Sequence, residues 1–476
     1  MREIARESCR LFGLGTSAAV VAALPTGTRV VRRGRAFELL GRVVAVAVVV
    51  VAVAPALAFG ASRQLVVDRD GVQCPNAGFT SIQAAVDAAD AGDVVRVCPD
   101  VYRETVRVEK ALTLRGEPDA AEAVDCFDPR ASQLSDADPT RQVIVEGGRS
   151  PAPPLFDLAA DGIELKGFVL QGAYSETAGD YTPAINTSDR FSGYRISHNV
   201  VRLSKVGIQF GSSGRDGSRF DHNCLRENGW DLATDDRKLA DARVDHNATF
   251  KTTFIAFEPL NGRIERVTFD HNASRETGFY AYWVQNSSDS RIIANTVESA
   301  AFGVRVGGLA PSVALEISRN RITNPPGGRA QTGIQFDSGS TAPSREVAVL
   351  ENTITGMVFT GIVARGGPVD PAPSVINSEF SRNVTSGNGL DGIALWGGNA
   401  GNVVRANLAE RNGRYGIYAR GAINTLFADN TMLGNGANPT SGGVDARDLL
   451  RESNRWTGNE CLTDLPVGTI CGIRQP

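Results

Sequence analysis

RISHNVV (195–201), RFDHNCL (219–225), RVDHNAT (243–249) and TFDHNAS (268–274) are one phrase written four times. In each, an apolar residue (Ile196, Phe220, Val244, Phe269) stands three positions before an asparagine (Asn199, Asn223, Asn247, Asn272). The pairing continues through Asn295, Asn320, Asn352, Asn383, Asn407 and Asn430, in steps of 23 to 25 residues apart from two of 32 and 31. A recurrent period of this size marks a stacked solenoid with one supersecondary unit per repeat. Most units carry a second mark, a glycine leading an alternating apolar pair, as in Gly207-Ile208-Gln209-Phe210, Gly278-Phe279-Tyr280-Ala281 and Gly303-Val304-Arg305-Val306. Alternation over a few residues is strand, and no repeat holds a 3.6-residue period for three turns.

Each coil therefore consists of two or three short strands with tight bends between them. Stacked coils pair in parallel about 4.8 Å apart, so equivalent side chains lie above one another. Asparagine suits a bend because its short amide tolerates the left-handed backbone. In a stack that amide also bonds the next asparagine. Upstream, Ile82, Ala85, Val86 and Ala89 fall on one face of an amphipathic helix over about residues 79–90, the cap an open solenoid end requires.

The pattern resembles the right-handed parallel β-helix superfamily, which includes pectate-lyase-like proteins and nitrous oxide reductase accessory proteins. The run Phe79 to Ala89, then Gly92-Asp93-Val94-Val95-Arg96-Val97, Val101-Tyr102-Arg103-Glu104 and Leu112-Thr113-Leu114-Arg115-Gly116, looks like the opening of those proteins. The resemblance covers about residues 65 to 460, with Asp100 where the family's Pro-Gly-x-Tyr stretch has glycine. It implies an all-β, single-stranded right-handed parallel β-helix solenoid with an N-terminal capping helix over residues 63–476. The superfamily hosts lyases, hydrolases, epimerases, adhesins and non-catalytic proteins, so the fold leaves the reaction open.

Residues 1–62 read as a leader: Arg32, Arg33, Arg35 and Arg42 precede an apolar run from Val43 to Ala58, with a small-residue cleavage site at Ala56-Leu57-Ala58. Translation is expected to start near Val30 or Val31, and an uncleaved anchor is the alternative and the one expected route to a membrane. Cysteine usage agrees with export. Cys461 and Cys471 are expected to close a loop within a C-terminal segment of about residues 456–476, and Cys74 and Cys98 to pin the cap. The connectivity among Cys74, Cys98 and Cys126 is open, and Cys224 reads as a small buried residue without a mate. A net charge of −4 gives no electrostatic case for nucleic acid. A secreted monomer with a polysaccharide or cell-envelope glycan as partner is the expectation.

Strand alternation assigns faces. Asp221, Asp245 and Asp270 form a column beside Arg195, Arg219 and Arg243, which reads as a charged sheet face or as a Ca2+ site, since hard cations take clustered carboxylates. The four histidines, His198, His222, His246 and His271, each precede a ladder asparagine. Stacked rings do not converge tetrahedrally on one ion, so they read as turn residues. On the glycine-led strand, Phe257, Tyr280 and Tyr282 are expected to face water, with Trp230, Glu258, Gln335 and Asp337 near them and Trp396 and Tyr418 further along. Rings beside carboxylates and amides suit sugar. Elimination on a uronic-acid polymer needs a base, for which Lys251 and Arg305 are the candidates, and a hydrolase needs a carboxylate pair, for which Asp235-Asp236 is the candidate. The readings carried forward are polysaccharide binding or processing, a non-catalytic surface protein, and a periplasmic copper-linked accessory protein.

Overall fold

The computed structural model describes residues 62–117, 125–128, 137–147, 153–174, 182–234, 236–258, 262–308, 310–337, 342–366, 372–437 and 442–471. The leader through residue 61 and Asp235 lie outside the described residues. The described coils belong to one compact unit, Phe59–Pro476. Among the described residues, three long parallel sheets hold 15, 14 and 14 strands. One coil gives one strand to each: Arg195–Ser197 to the first sheet, Val200–Arg202 to the second and Val206–Gln209 to the third. This is the right-handed parallel β-helix that the repeat implies.

The register follows the asparagine count. Arg195, Arg219, Arg243 and Thr268 are successive partners, as are Ile196, Phe220, Val244 and Phe269. The latter column is buried, at 0–1% exposure, and fills the interior with side chains worth about 2–3 kcal/mol each on burial. Between the first and second sheets the chain turns in two residues. The first of them, the histidine of each phrase, takes the left-handed conformation, at φ 54° for His198, His222, His246 and His271. The ladder asparagines that follow do not adopt it, which corrects the expectation that their own backbone would be left-handed, and they are buried. Their task is hydrogen bonding: Asn223 Nδ2 donates to Ile196 O at 2.9 Å and to Asn247 Oδ1 at 3.0 Å, and Asn223 N donates to the same Oδ1 at 3.0 Å. One backbone N–H and one backbone carbonyl per corner are thereby satisfied where water is absent. The ladder reaches one rung beyond the expected ten, to Asn459.

A second ladder stands at the next corner, five residues on. Asn388 donates to Asn412, Asn412 to Asn435, and Asn435 to Asp445. In an earlier coil Asn228 holds this place and donates to the buried Asp231.

The cap is the helix α1 (Ile82–Ala88), with Ile82, Ala85 and Val86 buried. Its first turn is tied by Glu104, which accepts from Ile82 N at 2.8 Å, Gln83 N at 3.0 Å and Ser81 Oγ at 2.8 Å. The disulfide Cys461–Cys471 forms as expected, and of the open pairings Cys74 takes Cys98. Cys224 does have a mate, Cys126, 98 residues upstream. That bond holds residues 125–128 against the outer face of the second sheet, where Phe127 meets Phe250 edge-on at 6.0 Å and Arg226 Nη2 donates to Asp128 O at 2.8 Å. A partner 98 residues away in a polar loop leaves no local trace in sequence.

Candidate functional site

The outer face of the third sheet lies opposite the core, and its register decides which side chains occupy that face. Ile208, Leu232, Phe257, Tyr282, Val304 and Ile334 are successive partners, all at 0–1% exposure. Phe257 and Tyr282 therefore belong to the core, stacked at 4.5 Å, and the expectation that they face water is overturned. Gly278 is not the counterpart of Gly303. Tyr280 pairs with Phe302, so the counterpart of Gly303 is Ala281. That is a slip of three residues, and an odd slip exchanges the two faces of a strand. Phe254 and Phe279 lie on the outer side, Phe279 at 47% exposure.

The residue after each core position points out. This column contains Gln209, Glu258, Trp283, Arg305, Gln335, Tyr418 and Arg447. Arg305 is its centre. Its Nε lies 2.6 Å from Asp337 Oδ2, and its Nη1 donates to the Tyr280 hydroxyl at 2.7 Å. The guanidinium also lies over the rings of Trp283 and Tyr280, at 4.5 and 4.9 Å. Gln335 Nε2 donates to the other oxygen of Asp337 at 2.7 Å. Burial, partly offset by the charge of Arg305, pushes the Tyr280 hydroxyl up to about 12, so it remains a phenol at neutral pH.

Aromatic rings extend the face both ways. Toward the N-terminus Trp230 stacks on Phe254 at 4.5 Å, and Phe279 meets Phe302 at 5.7 Å. Toward the C-terminus Val363, Ala394, Tyr415 and Tyr418 form an apolar cluster on this outer face, with Trp396 packed against it. Arginines lie over these rings: Arg365 and Arg420 over Trp396, Arg414 and Arg447 over Tyr418. Arg414 is held by the buried Asp391 through two bonds, of 2.8 and 2.6 Å. Three buried polar atoms here have no partner among the described residues: Gln335 Oε1, Arg365 Nε and Trp396 Nε1. Such groups cost about 1–3 kcal/mol each unless something else bonds them.

Of the residues expected at a sugar site, the structure brings Tyr280, Arg305, Gln335 and Asp337 together. Trp230 stands at the N-terminal edge of the face, and Glu258 is on it but 3% exposed. Sequence reasoning missed Trp283, Arg365, Arg414, Arg420 and Arg447. The signal for Trp283 was present: aligning Ala281 with Gly303 places it outside.

The base candidates separate. Lys251 follows the strand Ala248–Phe250 of the second sheet, and its ammonium lies 5.1 Å from the centre of the Phe250 ring. Arg305, as placed, is a hydrogen-bond donor to both a carboxylate and a phenol. Asp236 sits exposed in a turn at φ 65°, ahead of a small three-stranded side sheet. Asp221, Asp245 and Asp270 stack as expected on the first sheet. Their carboxylates are engaged by protein groups. Arg219 bonds both oxygens of Asp245 at 2.9 and 2.6 Å, Arg243 bonds both of Asp270 at 2.9 and 2.7 Å, and each aspartate meets the histidine that follows it. Burial alone would push Asp245 and Asp270 up. Hydrogen bonds from these arginines and histidines outweigh it and hold both below the usual carboxylate range.

Residues 332–462 match the family described as right handed beta helix region. No curated protein matches the chain. Among solved structures the chain is similar to the catalytic unit of a thermostable alpha-1,3-glucanase from Streptomyces thermodiastaticus, at 16% identity and a TM-score of 0.46 over 80% of this chain and 66% of that one. It is similar to the Dettilon tailspike protein at 13% identity and a TM-score of 0.47, over 79% and 65% of the two chains. With a mannuronan C-5 epimerase module of Azotobacter vinelandii the identity is 11% and the TM-score 0.36, over 83% and 95%. The chain thus spans just under two thirds of the length of the first two.

Proposed function

We propose that this right-handed parallel β-helix binds an anionic polysaccharide, a uronate-containing polymer by preference, along the outer face of its third sheet. The observation that carries this reading is the Tyr280–Arg305–Asp337 unit set among Trp283, Phe279 and Phe302. Aromatic faces stack on the apolar faces of sugar rings, and polar edges take hydroxyls. Arg305, Arg365, Arg414, Arg420 and Arg447 outnumber the acidic Glu258, Asp337 and Asp391 on the same face, which favours carboxylated over neutral sugars. Sites repeated one rung apart suit a linear polymer. The three disulfides fit an extracytoplasmic setting, where such a polymer is met.

Binding is favoured over β-elimination because Lys251 lies against the second sheet and Arg305 is committed to Asp337 and Tyr280. The test is a glycan array with neutral and uronate polymers, run beside a 235-nm absorbance assay for unsaturated product. Retention of uronates without absorbance supports the binding reading. Product absorbance replaces it with a lyase, and no retention of any glycan ends both.

A further inference from the structure

The histidine column lies on another part of the molecule, at the corner where the first sheet passes into the second, and the polysaccharide reading makes no use of it. The rings of His198, His222, His246 and His271 stack nearly parallel, within 3–5°, with centroids 5.0, 4.9 and 5.1 Å apart. His222, His246 and His271 are half exposed, at 45%, 44% and 55%. In each of these the ring atom Nδ1 lies 2.8–2.9 Å from a carboxylate oxygen of the preceding aspartate.

That contact fixes the tautomer. An ionised carboxylate only accepts hydrogen bonds, and Asp245 and Asp270 are kept ionised by two-point pairing with Arg219 and Arg243. The proton of the neutral imidazole therefore sits on Nδ1, and the lone pair sits on Nε2. Metal-ligating histidines are characteristically held this way, the far nitrogen donating to a carboxylate that orients the ring and raises its basicity. For His246 and His271 the arginine one coil away adds a further support, since it holds the carboxylate that holds the ring; Asp221 beside His222 meets Arg219 of its own coil at 3.5 Å.

We propose that adjacent imidazoles of this row chelate a late first-row divalent ion, Cu2+ or Zn2+, with His222 and His246 as the primary pair. Four stacked rings do not close on one ion, but two do. Ligand nitrogens stand about 2.0–2.1 Å from such a metal, so two of them on one ion lie roughly 3–4 Å apart. The rings start 4.9 Å apart, so a tilt of each half-exposed side chain brings the two Nε2 atoms into range. Water completes the coordination. Imidazole nitrogens without thiolates select copper and zinc over calcium and magnesium, and copper binds such sites most tightly. His198 follows Ser197 in place of an aspartate and is the weakest member of the row.

The test is Cu2+ titration of the folded, disulfide-intact protein, read by calorimetry and by the nitrogen hyperfine pattern in its paramagnetic resonance spectrum. The expected result is one tightly bound ion with two-nitrogen coupling. The double variant His222→Asn, His246→Asn leaves no adjacent pair, and asparagine tolerates the left-handed backbone at both positions. It is expected to lose at least about tenfold in affinity, together with the two-nitrogen pattern. The control His198→Asn keeps two adjacent pairs and is expected to bind as the parent does. Asp245 is a positioning residue: Asp245→Asn is expected to weaken Cu2+ binding about 10- to 100-fold. Equal affinity in the parent and the double variant overturns the proposal, as does a parent that binds no ion at micromolar Cu2+. Glycan binding is read separately on the third sheet, so either proposal can fail alone.

Discussion

Arg305 and Tyr280 stand one coil apart on the third sheet, joined twice: Nη1 donates to the phenol oxygen at 2.7 Å, and the guanidinium lies 4.9 Å from the ring centre. The ion pair with Asp337 fixes the arginine from the other side. Charge, ring face and hydroxyl are thus presented in one orientation before any ligand arrives, which lowers the ordering cost of binding.

Removing this unit is expected to weaken uronate binding without unfolding the coil. Arg305→Ala and Trp283→Ala should each lower affinity about tenfold, roughly 1.4 kcal/mol. Arg305→Lys should recover little of it, because a point charge does not reproduce the planar fork. Affinity electrophoresis in uronate-loaded gels, with circular dichroism as the check on fold, measures both.

Phe257 carries the opposite expectation. Its ring is 1% exposed and stacked on Tyr282 at 4.5 Å. Phe257→Ala should cost about 3–5 kcal/mol through lost burial and the cavity left behind. Urea denaturation reads the loss, while glycan affinity of the folded fraction should stay at the parent value.

Asp231 makes stability depend on pH. It is fully buried, accepting from Asn228 and Thr252, and burial pushes its carboxyl up to about 7 against the bonds that lower it. The folded state thus holds the proton more tightly than the unfolded chain. The sign follows: this group costs nothing below about pH 4, and stability falls as pH rises from there toward 7, by on the order of 4 kcal/mol once both states are ionised. Asp231→Asn mimics the protonated form. Its melting temperature should exceed that of the parent at pH 8, with the gap closing by pH 4.

Asn247 is bonded on both sides along the ladder, accepting from Asn223 and donating to Phe220 O and Asn272 Oδ1. Asn247→Ala leaves Asn223 N, Asn223 Nδ2 and Phe220 O of the preceding coil unmet, each costing about 1–3 kcal/mol. Asn459→Ala, at the last rung, should cost about as much, because Asn430 N, Asn430 Nδ2 and Phe427 O lose their partners in the same way. Guanidinium unfolding of the two variants side by side gives the comparison.

The candidate site was half legible in sequence. Gln335 and Asp337 follow a true counterpart of Gly303 and were placed correctly. Tyr280 was placed on the correct face, but its neighbours Phe257 and Tyr282 were not, because Gly278 imitates the repeat's glycine three residues early. Within one coil nothing distinguishes the two alignments. The choice is made by pairing with the coils on either side, where Tyr282 fits beneath Phe257 in the apolar column.

The sequence by itself determined the stacking: a repeated apolar-x-x-Asn phrase sets the coil length, buries one column and seats one amide per corner. These are local demands of hydrogen bonding and burial, satisfied the same way in every coil. Only the tertiary structure decided which rings face water, which carboxylates are already held by arginine and histidine, and that Cys224 reaches Cys126. Those outcomes depend on register between coils and on contacts across up to 98 residues, which spacing along one strand does not encode.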